Sequence, residues 1–149
     1  MLSIINRDCM MFDLEADSKN QVIEQMVQKF DEQGYLSDKA LFLKDVLDRE
    51  EVFPTYLDSG IGLPHGKSDG TKQAGICVAR LKKPVLWDDE DNMVDMVFMI
   101  AVKMGCDNNL HLQILARLSR ALMHEEFIEL IKQGNIDEVY QVLKKQLED

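Results

Sequence analysis

The nine residues 94–102, VDMVFMIAV, constrain this chain most. The unbroken apolar run 96–102 is far short of the ~20 residues a bilayer span requires. It is rich in branched and aromatic side chains, so it reads as a strand, and as one buried on both faces rather than half wet. Residues 74–81, AGICVARL, read as a second strand, and the intervening 82–92, KKPVLWDDEDN, as a solvated loop whose acidic run is wet surface. Helical patterns surround them. Ser18 and Gln21 form a capping box before Val22, Ile23, Met26, Val27 and Phe30, with Gly34 closing the segment. Ser37 caps a second helix through Ala40, Leu41, Leu43, Val46 and Leu47, which Pro54 ends; Arg49, Glu50 and Glu51 lie in its last turn. A third begins near Asn109 with Leu110, Ile114, Leu115, Leu118 and Leu122 on one stripe. The last starts at Asn135, boxed by Glu138, and carries Ile136, Val139, Tyr140, Leu143 and Leu147. Helices alternating with apolar strands predict an α/β fold, a single-domain sandwich with a central mixed β-sheet flanked by helices.

Composition narrows the function. A chain of 149 residues, 46% hydrophobic, suits one domain. Its formal net charge of −10 would repel a phosphate backbone, so no nucleic-acid partner is expected. The opening MLSIINRDCM has no secretory pattern, and Cys9, Cys77 and Cys106 form no close pair; a reducing, cytoplasmic location without membrane insertion fits.

Residues 59–70, SGIGLPHGKSDG, concentrate the chemistry-bearing residue types. The Gly66-Lys67-Ser68 triplet suggests a phosphate-binding P-loop, but Ile61 stands where that pattern needs glycine, and the turn composition of residues 68–71 stops the helix that must follow. His65 remains. Ile61, Leu63 and Pro64 precede it, placing it where a short strand ends in a turn. Pro64 stiffens the approach, Gly66 leaves room for a bulky group to reach the ring, and the amides of Gly66 and Lys67 can cradle an anion. A histidine that merely fills a turn is the competing reading. His111 opens the third helix, where the positive end of the dipole favours an anion; it is either a phosphate-binding auxiliary or a hydrogen-bonded structural histidine. His124, before Glu125 and Glu126, reads as surface. No HxxxH or cysteine pair supports zinc, no GxSxG elbow supports a Ser–His hydrolase, and no cofactor or metal is expected.

Three segments together resemble the mannitol/fructose type of enzyme IIA domain (EIIA type 2) of the bacterial sugar phosphotransferase system: GIGLPHGKS, DREE at 48–51 and HLQILARLSRAL at 111–122. The Pro-His-Gly signature is the specific one. The resemblance covers nearly the whole chain, so residues 1–149 are expected to form one such domain. It implies that His65 accepts a phosphoryl group from the phosphocarrier HPr and passes it to a cysteine of a IIB partner, which serves a membrane IIC permease. It also implies that His111 and Arg49 help hold the phosphoryl oxygens. The family usually has alanine where this chain has Gly62, a departure expected to loosen the strand. Physical chemistry is compatible: phosphoryl transfer needs a positioned nucleophile and positive groups on the equatorial oxygens. In an acidic protein these must be local. A regulatory module, similar to the nitrogen-related members of the family, is the alternative role; retention of His65, Arg49 and His111 argues against a relative whose histidine is no longer used.

Overall fold

The computed structural model describes residues 3–105 and 108–148, the side chains of 108–111 excepted. Its centre is β6 (Met93–Lys103), in which every residue from Met96 to Val102 is buried. Cover on both faces explains the continuous apolar run. On one side β6 pairs antiparallel with β5 (Gly75–Leu86), which in turn pairs parallel with β1 (Ile5–Leu14) at the edge. On the other side it pairs parallel with β3 (Ile61–Gly62) and then with β4 (His65–Ser68), and β2 (Tyr56–Leu57) joins β3 antiparallel. The described strands form one mixed six-stranded sheet.

Alternate side chains of β6 enter two cores. Met96, Phe98, Ile100 and Val102 face α3 (Asn108–Ala121), α4 (Glu125–Gln133) and α5 (Ile136–Glu148), meeting Ile114, Leu118, Phe127, Ile131, Val139 and Leu143. Val97, Met99 and Ala101 face α1 (Lys19–Glu32) and α2 (Lys39–Val52), meeting Val22, Ile23, Met26, Phe30, Phe42 and Val46. The α/β sandwich is as expected.

Local chemistry agrees with the sequence at several ends. Ser18 Oγ accepts from the Gln21 amide at 3.2 Å, and the Gln21 side chain returns to the Asp17 amide at 2.8 Å. Asn135 and Glu138 exchange reciprocal bonds of 2.9 and 3.1 Å at the start of α5. Four expectations need correction. Asp38, not Ser37, caps α2: its carboxylate accepts from the Leu41 amide at 3.1 Å, while Ser37 Oγ donates to the Asp69 carbonyl. Of the apolar positions expected in α2, Val46 is buried and Leu43 and Leu47 pack partly buried against the same core, but Phe42 and Glu50 complete the buried stripe instead of Ala40 and Leu41. Residues 82–86 continue β5 past a register shift between Arg80 and Val85, so the loop expected there starts only after a buried Trp87. Finally, β1 and α4 are elements that periodicity did not reveal.

Candidate functional site

The hairpin joining β2 to β3 turns through Asp58, Ser59 and Gly60 between the paired Leu57 and Ile61, with Ser59 and Gly60 at φ of 76° and 74°, the left-handed region that glycine enters most readily. Lys132 of α4 donates to the Ser59 carbonyl and pairs with Asp95 at 3.0 Å, holding the turn against the sheet. Beyond it, the chain leaves the ladder for Leu63 and Pro64. The Leu63 amide donates to the Thr55 carbonyl at 3.2 Å, and the Pro64 carbonyl accepts from the Ile100 amide at 3.1 Å. His65 then opens β4, in register with Ile100. It therefore begins a strand rather than ending one, because pairing resumes on β6 immediately after the proline.

The half-buried imidazole of His65 has Nδ1 2.9 Å from the Leu63 carbonyl oxygen. A carbonyl only accepts, so Nδ1 carries the proton and the neutral ring holds its lone pair on Nε2. That is the tautomer of an Nε2 nucleophile.

Strand alternation sorts the neighbours. His65 shares a face with Ile100 and α3, whereas Gly66 faces α2, where a Cβ would lie 2.8 Å from Val46 Cγ2 and 3.3 Å from Phe42 Cε1. The space at Gly66 thus admits α2, not a ligand approaching the ring. Ser68 on the same side donates to Asp45 of α2 at 2.6 Å and is fully buried. Lys67 is exposed on the His65 side. In a parallel ladder alternate amides face the neighbour; with Ile100 donating to Pro64, the Gly66 amide turns toward β6 and that of Lys67 away. Lys67 is the better placed of the two candidate amides.

Arg49 is half-buried in the last turn of α2 and donates from Nη1 to the Phe53 carbonyl at 3.0 Å. Helix α2 runs antiparallel to β4, with Phe42 against Gly70 and Val46 against Gly66, so its next turn carries Arg49 toward the His65 end. The two come from opposite faces of the sheet, and a phosphoryl group held by both would sit at the open edge of β4. His111 lies in the first part of α3, which follows β6 at the edge shared with β4; its side chain is outside the described residues, as is Cys106. His124 is the exposed N-cap of α4, as expected of a surface residue.

Sequence reading missed a buried polar cluster beside this site. Glu50, 4% exposed, accepts from the Thr55 amide at 3.1 Å and from its hydroxyl, and pairs with Lys19 at 2.8 Å. The Lys19 ammonium stands 4.9 Å from the Trp87 ring centroid, and Trp87 Nε1 donates to the Thr55 carbonyl at 2.9 Å. The available signal was Glu50 continuing Phe42 and Val46 at four-residue intervals, a carboxylate on an apolar stripe. Gly62 also looks different in three dimensions: a Cβ there would lie 2.6 Å from Trp87 Cζ2. Its lack of a side chain accommodates an indole rather than loosening the strand. The two described cysteines are poor competitors as nucleophiles. Burial pushes the Cys9 thiol up to about 12, against a smaller opposing effect of Lys29, and raises Cys77 well above its ordinary value.

Residues 3–146 match the family described as phosphoenolpyruvate-dependent sugar phosphotransferase system, EIIA 2. The chain belongs to that family, whose members are phosphotransferases that carry a phosphohistidine between partners. It is 30% identical over 128 residues to the 2-O-alpha-mannosyl-D-glycerate-specific EIIABC component of Escherichia coli, covering 85% of this chain but 20% of that protein. It spans only about a fifth of several such multidomain relatives. It is 28% identical to the fructose-like EIIA component of E. coli over 98% of this chain and 99% of that one. Among solved structures, the nitrogen regulatory protein IIA-Ntr of Neisseria meningitidis superposes with a TM-score of 0.84 at 25% identity, covering 94% and 96% of the two chains. Mannitol IIA of E. coli, itself solved in complex with phosphorylated mannitol IIB, gives 0.79 at 26% identity over 94% of this chain and 96% of that one. No described helix is long and apolar enough to cross a membrane.

Proposed function

We propose that this chain, as one EIIA domain over residues 1–149, accepts a phosphoryl group on His65 from phosphorylated HPr. It then delivers that group to a cysteine of a IIB partner for uptake of a fructose- or mannitol-like sugar through a IIC permease, acting in the cytoplasm. The observation that carries this reading is the Nδ1–Leu63 hydrogen bond, which presents Nε2 as the nucleophile. Its lone pair attacks the phosphorus of the donor phosphohistidine; the new N–P bond forms as the donor's breaks, and the donor imidazole keeps the released electron pair. In the second step the IIB thiolate attacks, an S–P bond forms, and the pair returns to Nε2 while Nδ1 retains its proton. Arg49, His111 and the Lys67 and Gly66 amides are assigned to the phosphoryl oxygens, where preorganised donors act most strongly. Exposed Val52 and Phe53 end α2, and Leu112 lies near the start of α3. Such apolar side chains near the site suit transient docking.

The backbone match to IIA-Ntr favours the regulatory role as second reading. The test incubates the protein with enzyme I, HPr and phosphoenolpyruvate, maps the phosphate after alkaline workup, and then adds a IIB domain. Label on His65 that IIB removes is the expected result. Label on His111, or full labelling of His65→Ala, overturns the site; label on His65 that no sugar-specific IIB removes favours the regulatory role.

A further inference from the structure

We propose that Glu50, with Lys19, Thr55 and Trp87, is a positioning device that sets the His65 tautomer through the backbone of Leu63. This rests on the reading of His65 as the phosphoryl acceptor.

The connection is continuous and made of short steps. Both Glu50 oxygens are engaged by Thr55, one by its amide at 3.1 Å and the other by its hydroxyl, and Lys19 completes the carboxylate at 2.8 Å. Thr55 is thereby fixed two residues after the end of α2's cap, and its carbonyl receives two donors, Trp87 Nε1 at 2.9 Å and the Leu63 amide at 3.2 Å. The other side of the Leu63 residue presents its carbonyl to His65 Nδ1 at 2.9 Å. Leu63 belongs to neither strand: β3 stops at Gly62 and β4 starts at His65. Its amide is held by Thr55, one step beyond the Tyr56–Gly62 pair that closes the β2–β3 ladder, so its orientation depends on where Thr55 stands. Trp87 is locked as well, its ring filling the space a Cβ on Gly62 would take.

Stability alone is a weak reason for such a cluster. Taking a carboxylate and an ammonium out of water costs about as much as their attraction returns, and apolar replacements of buried pairs are often neutral. What the charges supply is direction. A carboxylate whose two oxygens both engage Thr55, and which Lys19 anchors as well, admits few alternative placements of that residue. The same α2 turn carries Arg49, so the cluster also ties the guanidinium-bearing helix end to the loop bearing the nucleophile.

The test uses the full chain and the variants Glu50→Gln, Thr55→Val and Thr55→Ser. Long-range ¹H–¹⁵N correlation spectra of the imidazoles, at a pH where His65 is neutral, report the proton on Nδ1 or Nε2 directly and need no phosphoryl transfer. Wild type and Thr55→Ser should show His65 in the Nδ1–H form. Glu50→Gln and Thr55→Val should show a mixture, with the rate of transfer from phosphorylated HPr falling roughly 10-fold, the scale expected when a reacting group loses its held orientation. An unchanged Nδ1–H signature in Thr55→Val overturns the proposal, whatever its stability, and this variant serves if Glu50→Gln does not fold. A tautomer shift in a protein whose wild type takes no phosphate would sink the functional reading and leave the positioning intact. Normal phosphorylation with an immovable tautomer would do the reverse.

Discussion

Replacing Gly62 with the alanine usual in the family should destabilise this protein. The new Cβ would stand 2.6 and 2.8 Å from Trp87 Cζ2 and Cε2, closer than carbon atoms tolerate. The indole is 2% exposed and cannot swing into solvent without breaking its 2.9 Å bond to Thr55. Overpacking of this kind costs about 1–3 kcal/mol, and a weakened hydrogen bond adds about 1 kcal/mol. Opposing this, alanine lowers the entropy of the unfolded chain by about 0.4–1 kcal/mol, since Gly62 is not held at positive φ. The net loss of about 1–3 kcal/mol corresponds to a midpoint lower by roughly 3–10 °C for a chain of this size. Urea and thermal unfolding measure it, and fluorescence locates it, because Trp87 is the sole tryptophan. Its emission should shift to the red. Adding Trp87→Phe should recover part of the loss, giving a favourable coupling in a double-mutant cycle. An alanine variant as stable as the parent, with unshifted emission, would refute the packing argument.

Arg49→Ala and His111→Ala should each slow phosphoryl transfer by roughly 10²-fold or more at an unchanged thermal midpoint; unaltered rates in both would remove their assigned roles, and a lowered midpoint for His111→Ala would make it structural. The second-order rate with phosphorylated HPr should fall as salt rises from ~0.05 to ~0.5 M while saturated turnover holds, because a net charge of −10 attracts a basic carrier through screened forces. A salt-independent rate would limit the acidic residues to solubility. Cys9 and Cys77 should resist iodoacetamide in the native state at pH 8 and react on unfolding, as peptide mapping would show; native labelling would contradict their burial. Their thiols are raised in the folded state, so the stability they favour is present below the ordinary thiol value of 9.0 and declines as pH climbs toward about 12 for Cys9. A denaturation midpoint flat across that alkaline window would count against it.

Local patterns determined a great deal here. The run 96–102 could only be a covered central strand, the Ser18 and Asn135 caps marked true helix starts, and the His65 motif stood out because proline and glycine around a histidine restrict the backbone whatever surrounds them. Other features existed only after distant segments met. Strand β1 escaped notice because register shifts between Ile5 and Met10 and between Met11 and Leu14, with Asp13 at φ 57°, break its alternation; its identity comes from pairing with β5, some seventy residues on. Trp87 sits beside four acidic residues and reads as wet loop, yet the bare Cα of Gly62 and the carbonyl of Thr55 draw it inside. Glu50 looked like one more charge at a helix end until Lys19 and Thr55 closed around it. The protonated nitrogen of His65 was likewise beyond the sequence: the chain says that an imidazole is there, but only a folded Leu63 carbonyl 2.9 Å away decides which of its nitrogens keeps the proton.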